Sequence, residues 1–360
     1  MRLKDKTFIA FLILSLIMSI SHFGIDLAAA KEKKAITIAA GRPGDVWYVL
    51  SHALAKFINE RSDKLTANVV ATAGVTDNTR LILGKKEFWA THVNVTMIPG
   101  HNVWGKGEYL PLKIGSLVHL ASVWVTLDPK LKTFEDLKGK AVALPRKVEK
   151  GYSWIFADLL KQAGVWETVK PMHGGLKACL TALQDGAAHA GVMMFDYIYP
   201  NEFKLGSYLE ELKARGTLYF IQQGNLQKNI DMIAKACRSE EFVGLDLPTL
   251  ALIVPANALG PTQKEPMAVV SCPVYWSAGK EMPEDVVYEI TRIIFEAAKK
   301  GDFAPYHIMG KGITPDFLTT SFWATEKLCR QNYHPGAVKF YDDAKIRLKS
   351  FGEDYIKYPK

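Results

Sequence analysis

Polar side chains that could bind an anion stand beside two glycine-containing turns. Arg42 lies in Gly41-Arg42-Pro43-Gly44, and Thr76 and Asn78 lie in Gly74-Val75-Thr76-Asp77-Asn78. A guanidinium can hold a carboxylate with two parallel hydrogen bonds, and the unpaired N–H groups at a helix N-terminus favour an anion. These residues predict recognition of a small anion. Arg42 could instead be solvated, and Thr76 and Asn78 could simply cap the helix that follows.

The sequence contains no recognisable catalytic or metal-binding motif. There is no Gly-x-Ser-x-Gly elbow, no His-Glu-x-x-His and no phosphate loop, and the histidines show no metal-ligand spacing. His173-Gly174-Gly175 is interpreted as a strand-to-helix turn. We therefore predict a protein that is not an enzyme and that needs neither metal nor cofactor.

The cysteines are far apart and form no Cys-x-x-Cys pair. Four cysteines allow three disulfide pairings, and buried free thiols are an equally good interpretation. The residues concerned are Cys179, Cys237, Cys272 and Cys329.

Alternating strand and helix patterns surround the candidate residues. Ile36–Ala40 is predicted to be a strand, and apolar residues at helical spacing follow it from Val46 to Ile58. Strands are also predicted at Leu65–Thr72 and Trp89–Val95, and a second alternating unit begins at Ala141–Leu144. This order favours an α/β fold with a mostly parallel sheet.

Extended segments separate the two alternating units. Leu117–Leu127, Thr249–Ala256 and Met267–Ala278 are predicted to be crossover strands that form a hinge. The expected architecture is two α/β lobes with a ligand cleft between them, because ligands lie at the carboxyl ends of parallel strands. Lobe I is predicted to comprise residues 31–127 and 270–360, and lobe II residues 128–269.

The N-terminal thirty residues are typical of a secretory signal peptide. Three basic residues precede the apolar run Phe8–Ile20, and small residues end the segment at Ala28-Ala29-Ala30. We predict cleavage near Ala30 and export to the periplasm; the alternative is an uncleaved N-terminal anchor. The formal net charge is +8, with Lys and Arg spread along the chain, so no nucleic-acid partner is expected.

Two C-terminal motifs complete a resemblance to one family. The first is His334-Pro335-Gly336-Ala337 with the basic and aromatic stretch after it, and the second is Pro283–Phe295. With the glycine loop Gly41–Tyr48, the small-residue loop Thr72–Leu81 and the Asp-Leu-Lys-Gly-Lys segment at Asp136–Lys140, they resemble the TAXI family of TRAP-transporter solute receptors. This resemblance covers nearly all of the mature chain and implies the two-lobed periplasmic-binding-protein fold.

The resemblance also implies ligand contacts. Tyr48 matches an aromatic position of the family, whereas the segments Pro145–Ser153 and Met193–Tyr197 are bulkier or more charged than usual, and a Gln is common where His92–Asn94 stands. The family's usual substrates therefore cannot be assumed. The candidate ligand-binding residues are Arg42, Tyr48, Thr76, Asn78, Asn94, Arg146, Ser153, Phe195 and Asp196, with Asp196 suited to an amine.

The function that the resemblance implies is that of an extracytoplasmic receptor. It would bind a small carboxylate or amino acid as a monomer and deliver it to the membrane permease subunits of a TRAP transporter. The alternatives are a binding protein of an ABC importer, a periplasmic ligand sensor that serves a membrane kinase, and an exported enzyme.

Overall fold

The computed structural model describes residues 32–74, 77–78, 81, 91–96, 112–147, 150–237, 251–321 and 326–350. The predicted signal peptide and Thr76 lie outside these residues. From Ala35 onward the chain forms one compact unit. No helix of the described residues is long and apolar enough to cross a membrane.

Within the described part of the chain, eleven strands form one sheet, with the path β2-β1-β3-β11-β4-β7-β5-β6. Three short strands lie off this path: β10 pairs with β11, β8 with β7 and β9 with β4. A separate pair is formed by β12 and β13. The strands are β1 (Lys34–Gly41), β2 (Leu65–Ala71), β3 (His92–Thr96), β4 (Leu112–Thr126), β5 (Ala141–Pro145), β6 (Lys170–Gly174), β7 (Ala190–Ile198), β8 (Glu202–Lys204), β9 (Tyr219–Phe220), β10 (Ala251–Val254), β11 (Met267–Ala278), β12 (Thr320–Ser321) and β13 (Lys349–Ser350).

The helices follow the apolar periodicity of the sequence. They are α1 (Val46–Arg61), α2 (Lys150–Gln162), α3 (Leu176–Gln184), α4 (Ser207–Lys213), α5 (Leu226–Cys237), α6 (Glu284–Lys300), α7 (Pro315–Leu318), α8 (Glu326–Asn332) and α9 (Pro335–Asp343), with 3-10 turns at Glu135–Leu137 and Ile308–Gly312. The α/β fold class predicted from the sequence is confirmed.

The centre of the sheet is antiparallel, so the expectation of a mostly parallel sheet is wrong. Parallel pairs join β1 to β3 on one side and β5 to both β6 and β7 on the other. Between these groups, β11 pairs antiparallel with β3 and β4, and β4 pairs antiparallel with β7. The reason is that the segments predicted to be crossovers are themselves the two longest strands of the sheet.

These two strands connect the halves of the sheet. β3 pairs with Tyr275–Ala278 of β11, whereas β7 pairs with Ala121–Val125 of β4. β4 and β11 also pair with each other along Ser271–Ala278 of β11. The register of this pairing shifts at Val274/Tyr275 and again at Trp276/Ser277. Such irregularities bend and twist a strand locally. This arrangement is consistent with the expected hinge, although the lobe boundaries stay a prediction.

Helix α6 has the buried face that its sequence predicts. Val287, Ile290, Ile293, Ile294 and Ala297 are fully buried. Two acidic residues lie in its first turn and two lysines in its last, where they complement the helix dipole. The helix ends at Gly301, whose φ of 73° is left-handed.

The His-Pro-Gly-Ala motif begins helix α9. His334 is the N-cap, its Nδ1 accepts a hydrogen bond from the N–H of Gly336 at 3.1 Å, and Pro335 occupies the first turn. His334 is fully buried, as are Ala337 and Tyr341. The motif therefore has a packing role, joining α9 to the start of α6.

Candidate functional site

The loop after β1 turns the chain sharply into α1. The Gly41 and Gly44 φ angles are 139° and 90°, which favours glycine at both positions. The carbonyl of Arg42 accepts a hydrogen bond from the N–H of Asp45 at 3.1 Å, and the carbonyl of Gly41 accepts one from Thr72 at 2.9 Å. The loop is thus fixed at the carboxyl end of β1, where a parallel-strand fold binds ligands.

Asp45 pairs with Arg42 instead of capping the helix. Its Oδ2 lies 3.4 Å from Nε of Arg42 and accepts a hydrogen bond from the backbone N–H of Arg42 at 3.3 Å. As the N-cap of α1, Asp45 makes no side-chain hydrogen bond to the helix. Burial raises the pKa of Asp45, and the positive charges of Arg42 and Arg146 oppose this rise.

Arg146 belongs to the other half of the sheet, and its positive charge also lowers the pKa of Asp45. It directly follows β5, and its side chain is exposed. A methyl group added to Gly175 would lie 2.9 Å from Nη2 of Arg146, so the guanidinium lies against the start of α3. Its charge is the weakest of the influences on the pKa of Asp45, so the two groups lie within electrostatic range of each other. Arg42 and Arg146 were both predicted from the sequence, and whether they bind one ligand stays a prediction.

Two helix N-termini open at this site. Gly175, the N-cap of α3, has no side chain, and Asp45, the N-cap of α1, makes no side-chain hydrogen bond to its helix. Each helix N-terminus carries the positive end of a helix dipole. The guanidinium of Arg146 adds a second positive charge beside the N-terminus of α3. An anion bound here would be attracted both by the guanidinium and by the helix dipole.

Two aromatic residues lie in the first turn of α1. Tyr48 is half-buried, and its ring meets His52 edge-on with centroids 4.6 Å apart. Trp47 is buried, with its indole Nε1 against Gly41. Tyr48 therefore lies one turn from Asp45 and is partly exposed, so its ring is available to pack against a ligand.

Asn78 follows the loop after β2, Asn94 lies in the middle of β3, and both side chains are fully buried. The Asn78 Nδ2 donates to the carbonyls of Ala40 at 3.2 Å and Val95 at 2.8 Å, and its Oδ1 accepts from Thr72. Asn78 thus ties β1 to β3. The Nδ2 of Asn94 donates to His92 at 3.3 Å, while its Oδ1 is buried without a hydrogen-bond partner among the described residues.

Ser153 and Phe195 have partners within the protein. The Ser153 hydroxyl is buried and donates to the carbonyl of Pro145 at 3.3 Å. The carbonyl of Pro145 also lies 2.9 Å from Nδ1 of His173. Phe195 is buried and packs against Phe203. Ser153 thus contacts the residue that precedes Arg146, and whether Ser153 or Phe195 contacts a ligand stays a prediction.

Asp196 lies within electrostatic range of His307, apart from the two arginines. Burial raises the pKa of Asp196, and the nearby imidazole opposes this shift. Burial lowers the pKa of His307, and Asp196 opposes that shift in turn. His307 was not predicted from the sequence, because it lies over one hundred positions away in a segment with no recognised motif. Asp45 was not predicted as a site residue either.

Other expectations concern residues elsewhere. Cys179 and Cys272 are buried thiols rather than members of a disulfide, whereas the side chains of Cys237 and Cys329 lie outside the described set. Across the residues that the structure describes, no cluster of His, Cys, Asp or Glu could hold a metal ion.

Comparison with known proteins gives one family and a set of distant structures. Residues 38–200 match the NMT1-like family. The chain is 13% identical to the periplasmic aliphatic sulphonate binding protein SsuA from Escherichia coli, over 88% of this chain and 89% of that one, with a TM-score of 0.42.

Two further structures match at similar levels. The probable amino-acid ABC transporter extracellular-binding protein ytmK from Bacillus subtilis is 13% identical, over 78% of this chain and 99% of that one, with a TM-score of 0.44. XAC2383 from Xanthomonas citri bound to ATP is 10% identical, over 86% and 99%, with a TM-score of 0.45.

Proposed function

We propose that this protein is an extracytoplasmic solute receptor that captures a small organic anion and presents it to a membrane permease. One observation carries the proposal: Arg42 pairs with Asp45 in the loop after β1, and Arg146 follows β5 in the other half of the sheet, against the N-terminus of α3. Two arginines after parallel strands, each beside a helix N-terminus, suit the carboxylate of a ligand.

Binding in this site requires no covalent step. The ligand carboxylate would accept hydrogen bonds from the exposed guanidinium of Arg146 and from the N-terminal N–H groups of α1 and α3. Tyr48 would pack against the apolar part of the ligand. Because the arginines belong to opposite halves of the sheet, a ligand that binds both would favour a closed arrangement, with β4 and β11 as the hinge.

The proposed location is the periplasm, which the signal-peptide pattern of residues 1–30 supports. The proposed lobes are residues 31–127 with 270–360, and residues 128–269. We expect the receptor to act as a monomer.

Within this function, a TRAP-type permease is the partner that we favour. The support is the sequence resemblance of Pro283–Phe295 and His334–Ala337 to the TAXI family. The same receptor architecture would serve an ABC importer. Pull-down of the tagged receptor from detergent-solubilised membranes of its own cell distinguishes the two, since a TRAP permease lacks the ATPase subunits that an ABC importer carries.

Native mass spectrometry of the gently purified mature protein tests the proposal. A stoichiometric small anion, identified after denaturation, would support it, and its affinity should then be measured after removal and re-addition. If the protein carries no ligand and no carboxylate, sulfonate or amino acid raises its melting temperature, the receptor proposal is wrong.

A further inference from the structure

Asp45 uses its carboxylate in an unusual way for its position. Aspartate at a helix N-cap normally accepts a hydrogen bond from the second or third N–H of the helix. Here it makes no such bond. Its Oδ2 instead turns back toward Arg42, accepting from the backbone N–H at 3.3 Å and facing Nε at 3.4 Å.

The resulting ion pair is partly enclosed and loosely bonded. Side-chain exposure is 33% for Arg42 and 24% for Asp45, and both distances are long for a charge-assisted hydrogen bond. An incoming carboxylate could therefore compete with Asp45 for Arg42. It would also meet the negative charge of Asp45 at close range.

The charges around this position determine which ligands are favoured. Arg42 and Arg146 contribute two positive charges and Asp45 one negative charge, so these three groups together carry one net positive charge. A ligand with one negative charge neutralises them. A second negative charge on the ligand would face the carboxylate of Asp45, and like charges at short range repel.

We propose that Asp45 is the residue that sets the charge preference of the site, selecting ligands with one net negative charge over dianions of the same shape. The proposal rests on the receptor function proposed above. Asp45 acts here both through Arg42, which it holds in place, and by repelling a second ligand carboxylate.

The test compares ligands that differ only in charge. Short dicarboxylates, from four to six carbons in this design, are paired with their monoamides, which have nearly the same size and shape. Affinities of the wild type, Asp45→Asn and Asp45→Glu are measured by isothermal titration calorimetry. Asparagine keeps the size of the side chain and removes its charge, while glutamate keeps the charge.

The ratio of the two affinities is the decisive quantity. We expect Asp45→Asn to shift the ratio toward the dicarboxylate by about tenfold or more, as expected for removal of a nearby like charge. We expect Asp45→Glu to restore most of the wild-type ratio. A purely structural role would weaken both members of a pair alike, so an unchanged ratio in Asp45→Asn would overturn the proposal.

A different set of binding results would show that the receptor function itself is wrong. If the wild type binds neither these compounds nor any sulfonate or amino acid, the receptor function is wrong and the proposal for Asp45 falls with it. If the wild type binds only a sulfonate or an amino acid, the same ratio is measured with a carboxylated and an amidated derivative of that ligand.

Discussion

The Cα of Gly336 in helix α9 lies directly against the backbone of Glu284 at the start of α6. A Cβ at residue 336 would overlap the carbonyl oxygen of Glu284 and would lie 3.0 Å from the carbonyl carbon of Glu284 and from the N of Tyr288. The two motifs that most resemble the TAXI family are therefore packed against each other. Both motifs are therefore explained by a helix–helix contact rather than by a ligand site.

Gly336→Ala should loosen this contact. We expect the free energy of unfolding to fall by about 2 kcal/mol, because the backbone of Glu284 cannot move away as a side chain could. Urea unfolding followed by circular dichroism measures the change. The matched control is Gly216→Ala, where the nearest atom to an added Cβ is 3.7 Å away and the cost should be near zero. Equal effects of the two substitutions would contradict this packing role.

Arg146→Ala should weaken ligand binding without affecting folding. The side chain is exposed, so its removal leaves the core intact, while loss of a charged hydrogen bond weakens binding by about tenfold to a hundredfold. Calorimetry with the co-purified ligand measures the change. Lys147→Ala is the control, because it removes one positive charge from the adjacent exposed residue. If both variants lose the same affinity, Arg146 acts only through the general field of the loop.

His334 should make the fold less stable in mild acid. Burial lowers the pKa of His334 to about 4, with the neighbouring backbone of Met282 and Gly279 opposing part of the shift, whereas an unfolded chain has a His pKa of about 6.5. Between these values the unfolded chain binds a proton that the folded chain does not. The stabilisation is therefore present above pH ~6.5 and is lost as the pH falls toward ~4.

Replacing His334 by asparagine tests this dependence. Asparagine is a good N-cap and does not titrate. We expect the free energy of unfolding of His334→Asn to fall less steeply between pH ~6.5 and ~4 than that of the wild type, by up to about 1.4 kcal/mol per pH unit. His189→Asn, at an exposed histidine, should keep the wild-type slope. Parallel slopes in all three proteins would rule out His334 as a source of the acid sensitivity.

Lys113 is fully buried at the start of β4. Its ammonium donates to the Ser116 hydroxyl at 3.0 Å and to the carbonyl of Thr320, and it lies 4.3 Å and 4.7 Å from the ring centroids of Tyr275 and Tyr333. We expect Lys113→Ala to lower the free energy of unfolding by about 3 kcal/mol, because a cavity remains. Lys113→Met fills most of that volume and should cost about 1 to 2 kcal/mol.

Urea unfolding of the two Lys113 variants measures these costs. The control is Lys161→Ala, at an exposed lysine of α2, which should change the free energy of unfolding by less than about 0.5 kcal/mol. If Lys113→Met is as destabilising as Lys113→Ala, the ammonium rather than the side-chain stem stabilises this region.

The order of strands and helices could be predicted from the sequence, because burial of one face imposes a periodicity on neighbouring residues. Helix α6 illustrates this, since its apolar spacing and its end at Gly301 follow local rules. The same reasoning identified Arg42 and Arg146 as candidates at strand ends. The apolar residues of Leu218–Gln222 also predict a strand, but only Tyr219–Phe220 forms one. The side chain of Gln222 donates to the carbonyl of Ala268.

Most segments of the sheet, and the types of side chain that follow its parallel strands, could be predicted from the sequence alone. The partners of those side chains depend on the folded structure. Asn78 donates hydrogen bonds to two strands, Ser153 donates to Pro145, and Asp45 turns away from its helix toward Arg42. Periodicity depends on adjacent residues, whereas hydrogen bonding, burial and charge depend on residues that folding brings together from distant parts of the chain.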